Sequence, residues 1–124
     1  MAEVRQYQVS AVSTDTLGRV LCSARNHHLV IDGPEQNGCP GEEITPVEVF
    51  LASVAACGVE LVQVIAKNEK QPLKKVVVQI SSTQDRSKPV RPDVSLLNSV
   101  HLKFRLTGVS QQEGERLIGA FKGR

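Results

Sequence analysis

The chain has 124 residues and a mass of 13.5 kDa, a length that predicts a single domain spanning residues 1-124. Hydrophobic residues at 40% and charged residues at 23% match soluble globular averages and exclude disorder as the main character. The formal charge of +2, with one Tyr, three Phe and no Trp, is too balanced and too poor in aromatics for a nucleic-acid surface.

A membrane span is not expected either. The longest weakly polar stretch, Val49 to Val59, is bounded by Glu48 and Glu60, and a span needs roughly 20 apolar residues. The start, MAEVRQYQVS, lacks the basic and apolar regions of an export signal, so a cytoplasmic location is expected. Three cysteines without such a signal argue against a disulfide framework. Free thiols, a metal site or redox chemistry remain.

In chain order, residues 4–12, 19–25 and 28–31 read as short strands, separated by turns at Asp15 to Gly18 and at Asn26-His27. Residues 32–44, DGPEQNGCPGEEI, form a loop with little apolar content, which must run over the surface or line a site. A helix start follows. Thr45 is an N-cap, Pro46 the first helical residue and Glu48 the capping-box carboxylate, while Ile44 and Val49 are spaced as a hydrophobic staple. This helix runs to about Lys67, with Pro72 limiting its length.

Val47, Phe50, Leu51, Val54, Ala55, Val59, Leu61, Val62 and Ile65 cover nearly its whole circumference. A helix apolar on all sides must be buried on all sides, and so small a chain cannot cover it alone. A partner subunit is implied, most simply a two-fold homodimer. Leu73 to Thr83 then reads as a strand with Val76, Val78 and Ile80 on one face, and residues 85–98, with Pro89 and Pro92, as a loop. Val100, Leu102, Phe104 and Leu106 alternate with His101, Lys103 and Arg105 as a half-exposed antiparallel strand. Ser110 and Glu113 form a second capping box, opening a helix that carries Leu117, Ile118 and Phe121. The order β-β-β-α-β-β-α is an α+β arrangement.

Cys57 lies in the third turn of the long helix, in Ala55-Ala56-Cys57-Gly58. It reads either as a small core hydrophobe or as a nucleophile. The helix dipole acts mainly over the first turn, so a reactive Cys57 needs a nearby cation; Arg19 and Arg25 are the candidates. Glu48 reads either as the capping partner of Thr45 or as the group that orients such an arginine. Nine residues of helix, about 13.5 Å and half a turn out of phase, keep Glu48 from Cys57 within one chain, so a shared site needs a bridging arginine or a second subunit. A carboxylate at Glu60 would oppose a Cys57 thiolate unless neutralised. Cys39 reads as an incidental surface thiol or a redox partner, and His101 as solvated. Cys22, His27, His28, Cys39 and Cys57 lack the short ligand spacing of structural zinc, adjacent His27-His28 apart.

The run from His28 to Cys57, HLVIDGPEQNGCPGEEITPVEVFLASVAAC, resembles the OsmC/Ohr family of thiol-dependent peroxidases. The shared elements are the hydrophobic-Asp-x-Pro strand end at Leu29 to Pro34, the Gly-rich loop at Asn37 to Gly41, the Thr-Pro-x-Glu segment at Thr45 to Leu51, and the Ala-rich approach to Cys57. KNEKQPLKKVVVQI and VHLKFRLTG fit the family's helix-to-strand passage and late strand, so the likeness extends over about residues 19–122. It implies antiparallel sheets around a long buried central helix in an intertwined homodimer. Cys57 would be the peroxidatic residue, activated by Arg25 or Arg19, with Glu48 holding that arginine. No cofactor is implied beyond an external thiol reductant. Val47 stands where the organic-hydroperoxide branch has its glutamate, and Glu48 one place later fits the OsmC-like branch. The family's second cysteine, in a Cys-Pro motif after the last helix, has no counterpart before Arg124: either the sequence is truncated there or the C-terminal resolving thiol is absent, in which case Cys39 is a candidate to replace it. The rival expectation is a non-enzymatic dimeric module binding a small apolar ligand, with Cys57 as packing.

Overall fold

Turn chemistry and hydrophobic period divide the chain into the elements that the fold displays. A computed structural model describes residues 3–89, 91 and 97–122. Its strands are β1 (Ser10–Ser13), β2 (Arg19–Ala24), β3 (His27–Asp32), β4 (Lys75–Thr83) and β5 (Ser99–Thr107), and its helices α1 (Pro46–Asn68) and α2 (Gln111–Lys122). A 3-10 turn, Glu35–Asn37, follows β3. The mixed α+β order matches the sequence expectation. Pro92, in the expected loop over 85–98, lies outside the described residues. The chain forms two compact units, residues 1–49 and 50–124.

In the first unit, β1, β2 and β3 make an antiparallel sheet in that order. The first strand is shorter than the expected 4–12. Pairing with β2 begins at Ser10 opposite Ser23, and Val4 and Tyr7 are 86% and 85% exposed, because alternation in this stretch is too poor to bury one face. The β2–β3 turn sits one residue earlier than expected, at Arg25 and Asn26, with Arg25 at φ 57°.

In the second unit, β4 and β5 pair antiparallel from Lys75 opposite Thr107 to Thr83 opposite Ser99. The register sets Val76 against Leu106, Val78 against Phe104 and Ile80 against Leu102, so the apolar positions of both strands fall on one face. The core consists of Val62, Ile65, Ala66 and Leu117, backed by Leu73, Val76, Phe104, Leu106, Val109, Ala120 and Phe121. Phe104 and Phe121 pack tilted at 5.5 Å between centroids. Gly58 makes room for them: a Cβ there would lie 3.2 Å from Phe104 Cζ.

Helix α1 ends on Lys70 at φ 56° and a bond from Gln71 N–H to Ala66 O, before Pro72. Only half of the second capping box forms. Ser110 Oγ accepts the Glu113 N–H at 3.2 Å, but the Glu113 carboxylate binds Arg116 instead. Arg116 also pairs with Glu69, tying α2 to the end of α1.

By length and composition α1 could cross a membrane, yet Gly58, Val62, Ile65 and Ala66 are buried along one side and three of these four belong to the core cluster. Phe50, Cys57 and Val64, on an adjoining face, stay exposed. Truncating Leu117, fully buried at the centre of this core, to Ala should lower stability by about 2–5 kcal/mol, read as a lower urea midpoint.

Candidate functional site

Cys57 is exposed and unpaired. It lies on the uncovered side of α1, next in sequence to Gly58, which faces the core. Phe50, Val54, Cys57, Leu61 and Val64 recur at spacings of four and three residues, the period of a helix-packing seam. Phe50 and Val64 are 49% and 42% exposed, and Val54 and Leu61 are half-buried. The thiol is therefore the midpoint of an apolar stripe that is open to solvent in the protomer.

The first unit holds a second group of chemistry-bearing side chains. Arg19 and Asp32 face each other across β2 and β3. Arg19 donates from Nε to Asp32 Oδ1 at 2.8 Å and from Nη2 to Asp32 Oδ2 at 2.9 Å, a bidentate pairing that fixes the guanidinium plane. Arg19 Nη2 also reaches Glu42 Oε1 at 3.2 Å. Asp32 is completely buried, and its Oδ2 additionally accepts the backbone N–H groups of Glu42 and Glu43 at 3.0 and 2.9 Å. The Arg19 contact, reinforced by those amides and opposed by burial, holds the Asp32 carboxyl well below the usual carboxylate range and raises the Arg19 pKa in turn.

Glu48 completes the first capping box. Its Oε1 accepts the Thr45 N–H at 2.9 Å and the Thr45 hydroxyl at 3.0 Å, and Thr45 Oγ1 accepts the Glu48 N–H at 3.4 Å. Those bonds to Thr45, backbone first, hold its carboxyl below the ordinary value. Arg25 is exposed at the β2–β3 turn and makes no side-chain hydrogen bond among the described residues.

Cys39 is half-buried and fills a seat between two glycines. A Cβ on Gly33 would lie 2.5 Å from its Sγ, and one on Gly18 would overlap the same atom. Gly33 N–H bonds to Gly18 O at 2.8 Å, so the sulfur packs where the strand ends carrying Arg19 and Asp32 are joined.

Cys22 and His27 lie on one face of the first sheet and His28 on the other, by strand alternation. His28 Nδ1 is 2.8 Å from Ser23 Oγ. Among the described residues no group of three or more His, Cys, Asp and Glu side chains could hold a metal. Asp32 and Glu42 were missed as site residues in the sequence. The available signal was the strand register, which sets an arginine opposite an aspartate.

A family model described as OsmC-like protein matches residues 39–121. No curated protein sequence matches the chain. Among solved structures, an OsmC-like protein from Mycoplasma pneumoniae is similar with a TM-score of 0.81 and 16% identity, over 97% of this chain and 82% of its own. An OsmC-like protein of unknown function from Vibrio cholerae gives 0.80 and 10%, over 97% and 89%. An organic hydroperoxide resistance protein OsmC from Legionella pneumophila gives 0.73 and 22%, over 98% and 85%.

Two predictions follow from the Arg19–Asp32 frame. Gly33→Ala should destabilise the protein by about 1–3 kcal/mol, because the new methyl and the Cys39 sulfur cannot share the seat; chemical denaturation measures it. The depressed Asp32 pKa gives stability that is present above the unfolded carboxylate value near ~4 and lost as pH falls below it. Asp32→Asn should therefore lower stability at pH ~7 and flatten its decline toward acid, compared as urea midpoints across pH.

Proposed function

The chain belongs to the OsmC-like protein family, and from that membership we propose that it reduces hydroperoxides through Cys57, as a thiol-dependent peroxidase of oxidative-stress defence. The observation that carries this reading is the exposed thiol at the midpoint of an apolar helical stripe. A peroxidatic sulfur must be reached by its substrate, and aliphatic side chains on both sides favour an organic hydroperoxide over hydrogen peroxide. Solved neighbours described as organic hydroperoxide resistance proteins support the same substrate class.

The chemistry balances with two thiols per peroxide. The Cys57 thiolate attacks the distal peroxide oxygen, the S–O bond forms as the O–O bond breaks, and the alkoxide leaves as the alcohol after taking a proton. An external thiol attacks the sulfenic acid, releasing water and leaving a mixed disulfide. A second thiol then exchanges with that disulfide to return Cys57. Arg19 or Arg25 supplies the activating cation, Glu48 is the candidate to hold it, and Cys39 is the candidate internal resolving thiol. If Cys39 serves so, peroxide treatment yields a Cys39–Cys57 disulfide by mass mapping.

A homodimer is part of the proposal. The stripe from Phe50 to Val64 has the period of a helix-packing seam, and Phe50 and Val64 are about half exposed. The charges also complement between copies: residues 1–49 carry seven acidic and three basic side chains, and residues 50–124 six acidic and twelve basic. Contact between the first unit of one copy and the second of another is thus electrostatically favourable. The rival, a binding module with Cys57 as packing, requires this thiol to resist reagents in the native protein.

Single-turnover oxidation of the reduced protein by cumene hydroperoxide and by hydrogen peroxide, with a dimedone trap and intact mass, tests the activity. One dimedone adduct is expected, faster with the organic peroxide and missing in Cys57→Ser; oxidation no faster than that of free cysteine would overturn the assignment. Leu61→Glu places a charge on the seam and should shift the protein from dimer to monomer in sedimentation velocity, whereas Gln63→Glu, off the seam, should not.

A further inference from the structure

We propose that Glu60 determines the charge of the substrate that Cys57 accepts: its carboxylate, one helical turn beyond the thiol, selects uncharged hydroperoxides over carboxylate-bearing ones. The inference rests on the reading of Cys57 as the peroxidatic thiol and adds the chemical class of the hydroperoxide.

Both side chains belong to α1, and both are exposed. Residues three apart on an α-helix stand about 4.5 Å apart along the axis and about 60° apart around it, with their Cβ atoms about 5–6 Å from each other. Helical side chains lean toward the N-terminus, so a residue covers the turn that precedes its own Cα. A glutamate at position 60 therefore carries its charge over the turn that holds Cys57. The other near neighbours of the thiol along this surface are uncharged, Ser53 and Val54 before it and Leu61 after it.

In the sequence of α1, Glu60 is the only charged residue between Glu48 and Lys67. It makes no hydrogen bond or ion pair among the described residues, whereas Glu48, Glu69 and Glu113 are each held by a partner. A solvated carboxylate on a protein surface is common; what distinguishes Glu60 is its place, alone on an apolar helix and one turn from the reacting sulfur. A substrate that brings a second negative charge to Cys57 meets this carboxylate, and a neutral one does not. Two unit charges about 6 Å apart in water-like surroundings change a rate about threefold, and more where water is excluded. Any influence on the thiol itself is common to all substrates and cancels in a ratio of rates.

The experiment measures second-order rates at Cys57 with reagents matched in shape and different in charge: cumene hydroperoxide against its para-carboxylate derivative, and iodoacetamide against iodoacetate. Each is read from the mass of the Cys57 peptide, with dimedone trapping the oxidised form. Every neutral-to-anionic ratio is divided by that of N-acetylcysteine amide, which removes the intrinsic difference between the reagents. Wild type is expected to prefer the neutral member of each pair by about threefold or more. Glu60→Gln should bring the ratio near one, and Glu60→Lys should invert it. In ~1 M salt, where the screening length is about 3 Å, wild type should approach Glu60→Gln. The position is exposed, so both variants should fold, by circular dichroism. A wild-type ratio near one, or a preference that survives in Glu60→Gln, would overturn the proposal and leave Glu60 a solvated surface charge. Failure of the underlying reading is separable: neither peroxide then reacts faster than with the reference thiol, while the alkylating pair still discriminates.

Discussion

A 23-residue helix that is apolar on almost every side is the constraint on which the rest of this structure depends. One side of α1 is satisfied inside the chain, where Val62, Ile65 and Ala66 meet Leu117 and the side chains of β4, β5 and α2. A neighbouring face, about 100° around the helix and marked by Phe50, Cys57 and Val64, stays exposed. Fully burying a large aliphatic or aromatic side chain is worth about 1.5–3 kcal/mol, so leaving Phe50 and Val64 about half in water forgoes several contributions of that kind. The residues along this side keep to helix-packing period, unlike the scattered exposed hydrophobics that any soluble protein carries. Cys57 interrupts the apolar series at its midpoint, and a small polarisable thiol does so without disturbing the packing surface. The same side chains surround the thiol with an exposed apolar surface.

The parts of this arrangement fixed by near neighbours in sequence were legible, and those fixed across the sheet were not. Thr45, Pro46 and Glu48 announce the start of α1 because a cap is settled within four residues, and the structure has both reciprocal bonds of that box. The clean alternation from Val100 to Leu106 likewise gives β5 and its inward face. Ser110 and Glu113 show where local logic ends. The hydroxyl caps as expected, but Glu113 turns to Arg116, itself drawn by Glu69 from the end of α1. Val4 to Val9 reads as strand by composition, yet pairing with β2 starts only at Ser10. Asp32 was read only as part of a strand-end motif, since its role depends on Arg19 thirteen residues earlier and on a pairing that no single-strand pattern contains.

The electrostatic character of the Arg19 group follows from burial. An isolated carboxylate in the position of Asp32 would carry a large desolvation cost, and it is offset here by a bidentate arginine and two backbone amides. Breaking such a pair is more damaging than never having built it, because the remaining partner is left uncompensated. Asp32 and Glu42 both contact the guanidinium and offset part of its charge. What it retains is a rigid plane and a directed N–H donor.

The Gly-rich loop gains a different meaning from the same geometry. Loops of this composition are usually read as flexible, and Gly38 and Gly41, at φ 78° and 61°, do serve the turn. Gly33 does not need a positive φ; it is glycine because the Cys39 sulfur occupies the space where a side chain would begin. Glycine here is a packing choice that draws two strand ends together, and rigidity is the result. A thiol used in this way must leave its seat before it can exchange with another sulfur, since attack on a disulfide requires access. A resolving role for Cys39 therefore carries a structural cost that a packing role does not: the joint between Gly18 and Gly33 would open, and the register that sets Arg19 against Asp32 would loosen with it.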